Sequence, residues 1–311
     1  MQNTIDVSIV VPVYKSTKSL ELLTQQIGVL GNEIDIKFEL IFVNDSPFFL
    51  DTNKTLETLD LLFDFVHVIT LRKNQGQHMA LLVGLSKAKG EFVITMDDDL
   101  QHPVSEIPKL ISRIAEKNGP DAVFAIPFSG DKKHSPWRNF GSYVINKADV
   151  MFLSKPAGLK KSPFRIMRND LVNVIVNNYN SSPAVSSLII RATHNIENIE
   201  VKHNDRQFGK SGYSLKQLMS LTLNNILHYS SLPLKLLGYV GAFGFICSIL
   251  FIITVLIRKL FFDINFPGYA SIVSLISLFG GLNLLALGII GEYLIRIVKE
   301  QQKPGLDSLY K

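Results

Sequence analysis

The segment Phe92-Val93-Ile94-Thr95-Met96-Asp97-Asp98-Asp99-Leu100-Gln101-His102-Pro103 runs from an apolar, β-branched pentad straight into three carboxylates and then a proline. Residues 92–96 have the composition of a strand buried on both faces. Three adjacent acidic residues at its carboxyl end repel one another unless a cation is present. In extended backbone Asp97 and Asp99 project to one side. Two hard carboxylate oxygens can therefore meet a divalent cation there, with the amide oxygen of Gln101 two residues on. An EF-hand loop is excluded, because His102 occupies the position that needs glycine and Pro108 the one that needs glutamate. The simpler alternative is a solvated acidic turn that caps the next helix.

Working outward, similar apolar runs occur at residues 7–13, 38–44, 66–70 and 122–126, and helical patterns fit between them at 19–30, 53–63, 77–87 and 104–116. This alternation predicts an α/β fold with a mostly parallel sheet covered on both faces. In such sheets ligands bind beyond the carboxyl ends of the strands, where the acidic cluster falls. No G-x-G-x-x-G follows the first strand and no G-x-x-x-x-G-K-[ST] occurs anywhere, which removes the main support for a dinucleotide oxidoreductase or a P-loop enzyme. The first strand instead ends in Pro12-Val13-Tyr14 and the second in Asn44-Asp45-Ser46. A ring and a carboxylate at neighbouring strand ends suit a stacked and hydrogen-bonded base, although by itself Asp45 is better read as a turn cap.

The 311 residues are 47% hydrophobic and only 19% charged, and the mean hydropathy is +0.21, which is high for a soluble enzyme. Two segments account for the excess. Residues 236–257 carry no charge over 22 positions and would reach about 33 Å as a helix, enough to cross a hydrocarbon core. A second uncharged run follows Pro267 and Gly268, predicting a helix over 269–292 and so a two-helix transmembrane hairpin. Lys210, Lys216, Lys235, Arg296, Lys299 and Lys303 flank its outer ends, against Arg258 and Lys259 in the turn. The bias places both termini and the first ~210 residues on the cytoplasmic side of the inner membrane. Residues 215–228 have the apolar spacing of an amphipathic helix lying in the interface. The expected organisation is a domain over 1–210, an interfacial segment over 211–233, a hairpin over 234–298 and a cytoplasmic tail over 299–311. The net charge of +5 fits phosphate-bearing ligands or an anionic membrane and is too small to argue for nucleic acid. The lone Cys247 excludes an internal disulfide and a multi-cysteine zinc site.

Taken in order, residues 9–14, 39–46, 74–76, 97–103, Phe164-Arg165, 206–213 and 231–235, followed by the two apolar runs, resemble the membrane-anchored polyprenyl-phosphate glycosyltransferases. These are inverting nucleotide-sugar enzymes with a GT-A fold. Dolichol-phosphate mannose synthase and the bacterial undecaprenyl-phosphate sugar transferases belong to them. The resemblance implies that Pro12, Tyr14, Asp45 and Asp97 bind the nucleotide, and that Asp97, Asp99 and Gln101 hold Mg²⁺ or Mn²⁺ at the diphosphate. Asp98 would lie near the donor sugar and act with Asp99 in catalysis. Arg206, Lys210 and Ser211, with Arg165, would grip the acceptor phosphate, and Arg206 and Lys210 would also serve the reaction itself. The donor would be a UDP-, GDP- or dTDP-linked sugar, the acceptor a polyprenyl phosphate, and the assembly a homo-oligomer. Two departures stand out: Asn44 replaces an aspartate usual in the family, and Lys161-Ser162-Pro163 offers no counterpart to an acidic general base. A lipid phosphate is already anionic at neutral pH, so alignment and charge stabilisation matter more than a base. Two alternatives are weaker: a nucleotide-sugar sensor or scaffold without turnover, and a processive synthase. The latter lacks its Q-x-x-R-W element, since Trp137 precedes Arg138.

Overall fold

The computed structural model describes residues 5–128, 155–156, 158–181, 183–204 and 268–311, with seven further positions between 239 and 257. By its internal contacts the chain divides into a unit of Met1–Leu215 with Lys303–Lys311 and a second unit of Lys216–Gln302.

The first unit is built on a seven-stranded sheet. Its strands are β1 (Val7–Val13), β2 (Phe38–Asn44), β3 (Val66–Thr70), β4 (Phe92–Thr95), β5 (Ala122–Pro127), β6 (Arg165–Arg168) and β7 (Ile196–Val201), in the order β3-β2-β1-β4-β6-β5-β7. Both β1 and β2 are buried along their whole length, as expected of central strands covered on two faces. The β1, β2, β3 and β4 pairings are parallel, whereas β6 runs antiparallel to both β4 and β5. All five predicted strands match to within a residue, and the expected mostly parallel α/β sheet is present. The strand β6 went unread because it is only four residues with an arginine at each end, and β7 because polar residues interrupt its apolar ones.

Helices α1 (Lys18–Ile34), α2 (Leu50–Leu62), α3 (Gln77–Leu85), α4 (Ile107–Ile114), α5 (Asn169–Asn177) and α6 (Val185–Ala192) cover the sheet. The predicted helix over 104–116 begins as a separate 3₁₀ turn, Val104–Glu106, because Pro108 cannot supply an N–H to a preceding α turn. The apolar α3 lies so close to the sheet that a Cβ on Gly84 would sit 2.3 Å from Val10 and 2.8 Å from Val43. That contact seats the carboxyl end of α3 on the sheet, and hydrogen bonds from Gly76 and Gln77 hold its amino end beside the carboxyl ends of β2 and β4. One core cluster joins α1, the inner strands and α4, with Leu23, Ile27, Phe42, Ile94, Leu110 and Phe164 among its members.

In the second unit α7 (Tyr269–Gln301) is a single helix of 33 residues, nine longer than its sequence suggested. It passes Glu292 because residues 293–301 contain no glycine or proline. Its Leu278–Gln301 stretch is, among the described residues, the one helix long and apolar enough to cross a membrane, with a mean hydropathy of 1.7 and no burial. The described positions of the earlier apolar run, including Tyr239, Phe243, Ile246 and Leu250, are helical and exposed. The interfacial segment 211–233 and the expected acceptor-phosphate residues Arg206, Lys210 and Ser211 lie outside the described residues.

Candidate active site

Three strand ends and one loop make the site. At the end of β1 the Tyr14 side chain stands 55% exposed, and Lys15 takes a left-handed φ of 60° while its N–H donates to Ser46 Oγ at 3.0 Å. The Lys15 ammonium lies 5.1 Å from the Tyr14 ring and 5.9 Å from that of Phe49. Pro12, two residues before Tyr14, is buried in the sheet.

At the end of β2 the Asn44 carboxamide accepts from Ser46 N–H and Oγ at 2.9 and 3.0 Å and donates through Nδ2 to Asn53 Oδ1 at 2.7 Å. An aspartate could not make that donation, which accounts locally for the asparagine. Asp45 is buried. Its carboxylate accepts from the backbone N–H of Gln75 at 2.6 Å and of Gly76 at 2.9 Å, some thirty residues on. Burial raises its pKa and the two N–H donors pull it back down. Gly76 supplies its N–H only by adopting a φ of 87°, a conformation nearly closed to other residues.

The same loop reaches β4. Gln77, the first residue of α3, donates from Nε2 to Asp97 Oδ1 at 2.7 Å. Asp99 is buried and its Oδ1 accepts from Gln101 N–H at 3.2 Å. Between them the buried Leu100 is held at a φ of 60°, an uncommon state for a branched residue and one found where a site dictates the backbone. Asp98 hydrogen-bonds to the Ser16 side chain and the Tyr14 backbone, tying β4 to β1, while its buried Oδ2 has no partner. Burial first, and the neighbouring Asp99 charge second, push Asp98 up to about 6. His102 stacks on Phe164 with centroids 5.1 Å apart and meets His203 edge-on, and burial lowers its pKa to about 3. It is a packed neutral ring.

Antiparallel β6 sets Arg165 opposite Thr95. Arg165 is only 1% exposed. Its Nε donates to Thr95 Oγ1 at 3.0 Å and its Nη1 to Ser186 Oγ at 2.7 Å. Burial lowers its pKa to about 10, and the nearby Asp97 charge opposes that shift. His78 is lowered to about 4 by burial and then by the Arg165 and Lys161 charges.

The sequence-predicted residues thus divide. Tyr14, Asp45, Asp97, Asp98 and Asp99 meet at one end of the sheet, linked through residues 75–77. Gln101 is present in the turn, where its carbonyl accepts from Asn204 N–H at 3.0 Å. Arg165 lies inside the domain with the Asp97 charge nearby. Ser16, Gln77 and His78 were missed, and only the glycine at position 76 hinted at a loop with a special backbone. Among the described residues no three His, Cys, Asp or Glu side chains are grouped to hold an ion by themselves. The all-oxygen donor set and the unpartnered buried Asp98 Oδ2 nonetheless fit a hard divalent cation that takes its other ligands from a substrate phosphate.

The model of Glycosyl transferase family 2 matches residues 8–176. The undecaprenyl-phosphate 4-deoxy-4-formamido-L-arabinose transferase of Pseudomonas aeruginosa is 29% identical over 304 residues, covering 94% of this chain and 86% of the relative. Its counterpart from Photorhabdus laumondii is 27% identical over 296 residues, covering 94% and 90%. Among solved structures, glucosyl-3-phosphoglycerate synthase from Mycobacterium tuberculosis, in complex with Mn²⁺, UDP and phosphoglyceric acid, superimposes with a TM-score of 0.51 at 16% identity over 72% of this chain and 76% of that one. Mannosyl-3-phosphoglycerate synthase from Rubrobacter xylanophilus gives 0.51 at 13% identity over 76% and 75%. At such identities the likeness concerns the fold alone.

Proposed function

This chain belongs to glycosyl transferase family 2, and from that premise we propose that it moves a sugar from a nucleoside diphosphate donor to undecaprenyl phosphate at the cytoplasmic face of the inner membrane. The observation that carries the reading is the cluster of Asp45, Asp97, Asp98 and Asp99 at one sheet end, in a chain that also contains an apolar helix of membrane-spanning length. The Pseudomonas and Photorhabdus relatives, which match nearly the full chain and are both named as undecaprenyl-phosphate transferases, support the acceptor. The hairpin, the interfacial segment over 211–233 and cytoplasmic termini belong to this proposal.

Tyr14 stacks on the base, and Asp45, fixed by Gln75 and Gly76, accepts from the nucleoside. Asp97 and Asp99, with Asp98 beside them, would hold Mg²⁺ or Mn²⁺; when bound, the ion offsets the charge that builds on the departing diphosphate. Gln77 orients the Asp97 carboxylate, and the charge of the buried Arg165 attracts it. Arg165 therefore acts as a positioning residue in this scheme, and the acceptor phosphate is left to Arg206, Lys210 and Ser211. The phosphate oxygen attacks the anomeric carbon in line, the bond to the diphosphate breaks, and the configuration inverts. No strong base is required.

The test is incubation of the full chain in detergent with undecaprenyl phosphate and UDP-, GDP- and dTDP-linked sugars, followed by mass measurement of the lipid. A glycosyl-phosphate lipid is expected with one donor class, and its absence with all of them refutes the reading. Arg206→Ala or Lys210→Ala should slow lipid turnover more than donor hydrolysis. Equal loss of both would remove those residues from the acceptor.

A further inference from the structure

The last nine residues do not trail away from the catalytic unit. Only Gln302 separates them from the end of α7, and Lys303–Lys311 pack with the sheet domain. Tyr179 donates its hydroxyl to the Pro304 carbonyl at 2.6 Å, and Lys303 Nζ donates to the Tyr179 carbonyl at 2.6 Å. Leu306 and Leu309 are buried, and Tyr310 forms an antiparallel bridge with Leu71, just past the end of the edge strand β3. There Arg72 N–H donates to the Leu309 carbonyl at 2.8 Å, Arg72 Nε to the Ser308 carbonyl at 3.2 Å, and Lys311 N–H to the Thr70 carbonyl at 3.2 Å. Asp307 pairs with Lys87, just beyond α3, at 3.0 Å.

The two anchor points bracket the site loop. Arg72 lies three residues before Gln75, and Lys87 two residues after the end of α3. Everything between them, namely the Gln75 and Gly76 N–H groups on Asp45 and the Gln77 amide on Asp97, is held at both ends by the tail. A glycine-containing loop on an edge strand is otherwise among the first places to open locally. We propose that the carboxyl-terminal nonapeptide is a positioning element for the nucleotide site, fixing residues 72–77 so that Asp45 and Asp97 are oriented before the donor arrives. This rests on the nucleotide-sugar reading of the site. It adds that the segment following the apolar helix completes that site.

The test uses the full chain in detergent and two perturbations. Leu309→Asp removes a buried anchor, and Leu309→Met is its conservative rescue. Hydrogen exchange in the peptide covering residues 72–79 should rise about tenfold or more in Leu309→Asp and stay at the wild-type level in Leu309→Met. The KM for the donor should rise about tenfold while that for the lipid acceptor is unchanged. Asp307→Lys affects only exposed groups, so it cannot unfold the chain; it should raise donor KM up to about fivefold, and adding Lys87→Glu should reverse this. Unchanged exchange over 72–79 in folded Leu309→Asp, or equal rises in both KM values, would overturn the proposal. Were no nucleotide sugar to bind the wild-type chain, the glycosyltransfer reading would fail, and the exchange comparison would still decide whether the tail holds the loop.

Discussion

Replacing Gly76 by alanine isolates the backbone of the site loop. A Cβ at this position meets nothing within 4 Å, so no steric clash arises. The φ of 87° with ψ of 155° is the whole effect, and for a residue with a side chain that region costs about 3 kcal/mol, the upper end of the usual range. The loop can escape by rotating the peptide, which breaks the 2.9 Å bond from Gly76 N–H to Asp45. Because Asp45 keeps the 2.6 Å bond from Gln75, that loss is worth about 1.5 kcal/mol, the low end for a charged acceptor. Rotation wins by about 1.5 kcal/mol, leaving roughly one molecule in ten with the loop in place. Nucleotide affinity should then fall about tenfold, while a domain stable by 5–15 kcal/mol, as domains of this size typically are at about that order, remains folded. Gly158 is a matched control, with a φ of 81° and likewise no atom within 4 Å of its Cβ, but outside the loop. The assay is calorimetric titration of both variants with UDP, GDP and dTDP in the presence of Mg²⁺. Wild-type affinity in Gly76→Ala, or an equal loss in Gly158→Ala, would refute the reasoning.

Three further outcomes follow from the same geometry. Asp99→Ala should lower the rate of transfer by about 10²–10³ without changing the circular dichroism spectrum, and EDTA should do the same to the wild type; full activity in EDTA would sink the metal assignment. Arg165→Ala leaves a buried void and an Asp97 charge without its cation, so it should cost about 3 kcal/mol and lower Tm by roughly 6–12 °C. Arg165→Lys should fall between the two, because a point charge cannot reach both Thr95 and Ser186. His78 has a folded pKa of about 4 against an ordinary value of 6.5, so the native state favours the neutral ring. Its contribution is complete above pH 6.5 and declines as the pH falls towards 4, by up to about 3 kcal/mol. The pH profile of Tm should flatten across that window in His78→Gln, and an unchanged profile would count against the assignment.

The alternating apolar runs were legible because they are local: each of the first five strands announces itself over four to seven residues, and parallel order follows from the helices between them. The acidic triplet was legible for the same reason, as was the position of Asp45 at a strand end. Its role as a turn cap and its place in the site were not alternatives, since the carboxylate caps a loop thirty residues away. Arg165 was read as a group on the acceptor phosphate because nothing around Phe164-Arg165 reveals that β6 runs antiparallel beside β4 and buries the guanidinium. The helix over 269–292 extends to Gln301 because charged residues that end a membrane span do not end a helix.

By itself the sequence determined the α/β alternation, the strand ends at which chemistry gathers, and the presence of long apolar segments, all set by side-chain periodicity over a few residues. Tertiary structure alone decided which distant polar groups meet around the site. Gln77 meets Asp97 across 20 positions, Arg165 meets Thr95 across 70, and Arg72 meets Ser308 across 236. Such partners are selected by strand order and by the burial that makes an unpaired polar group costly, and neither leaves a mark in the local pattern.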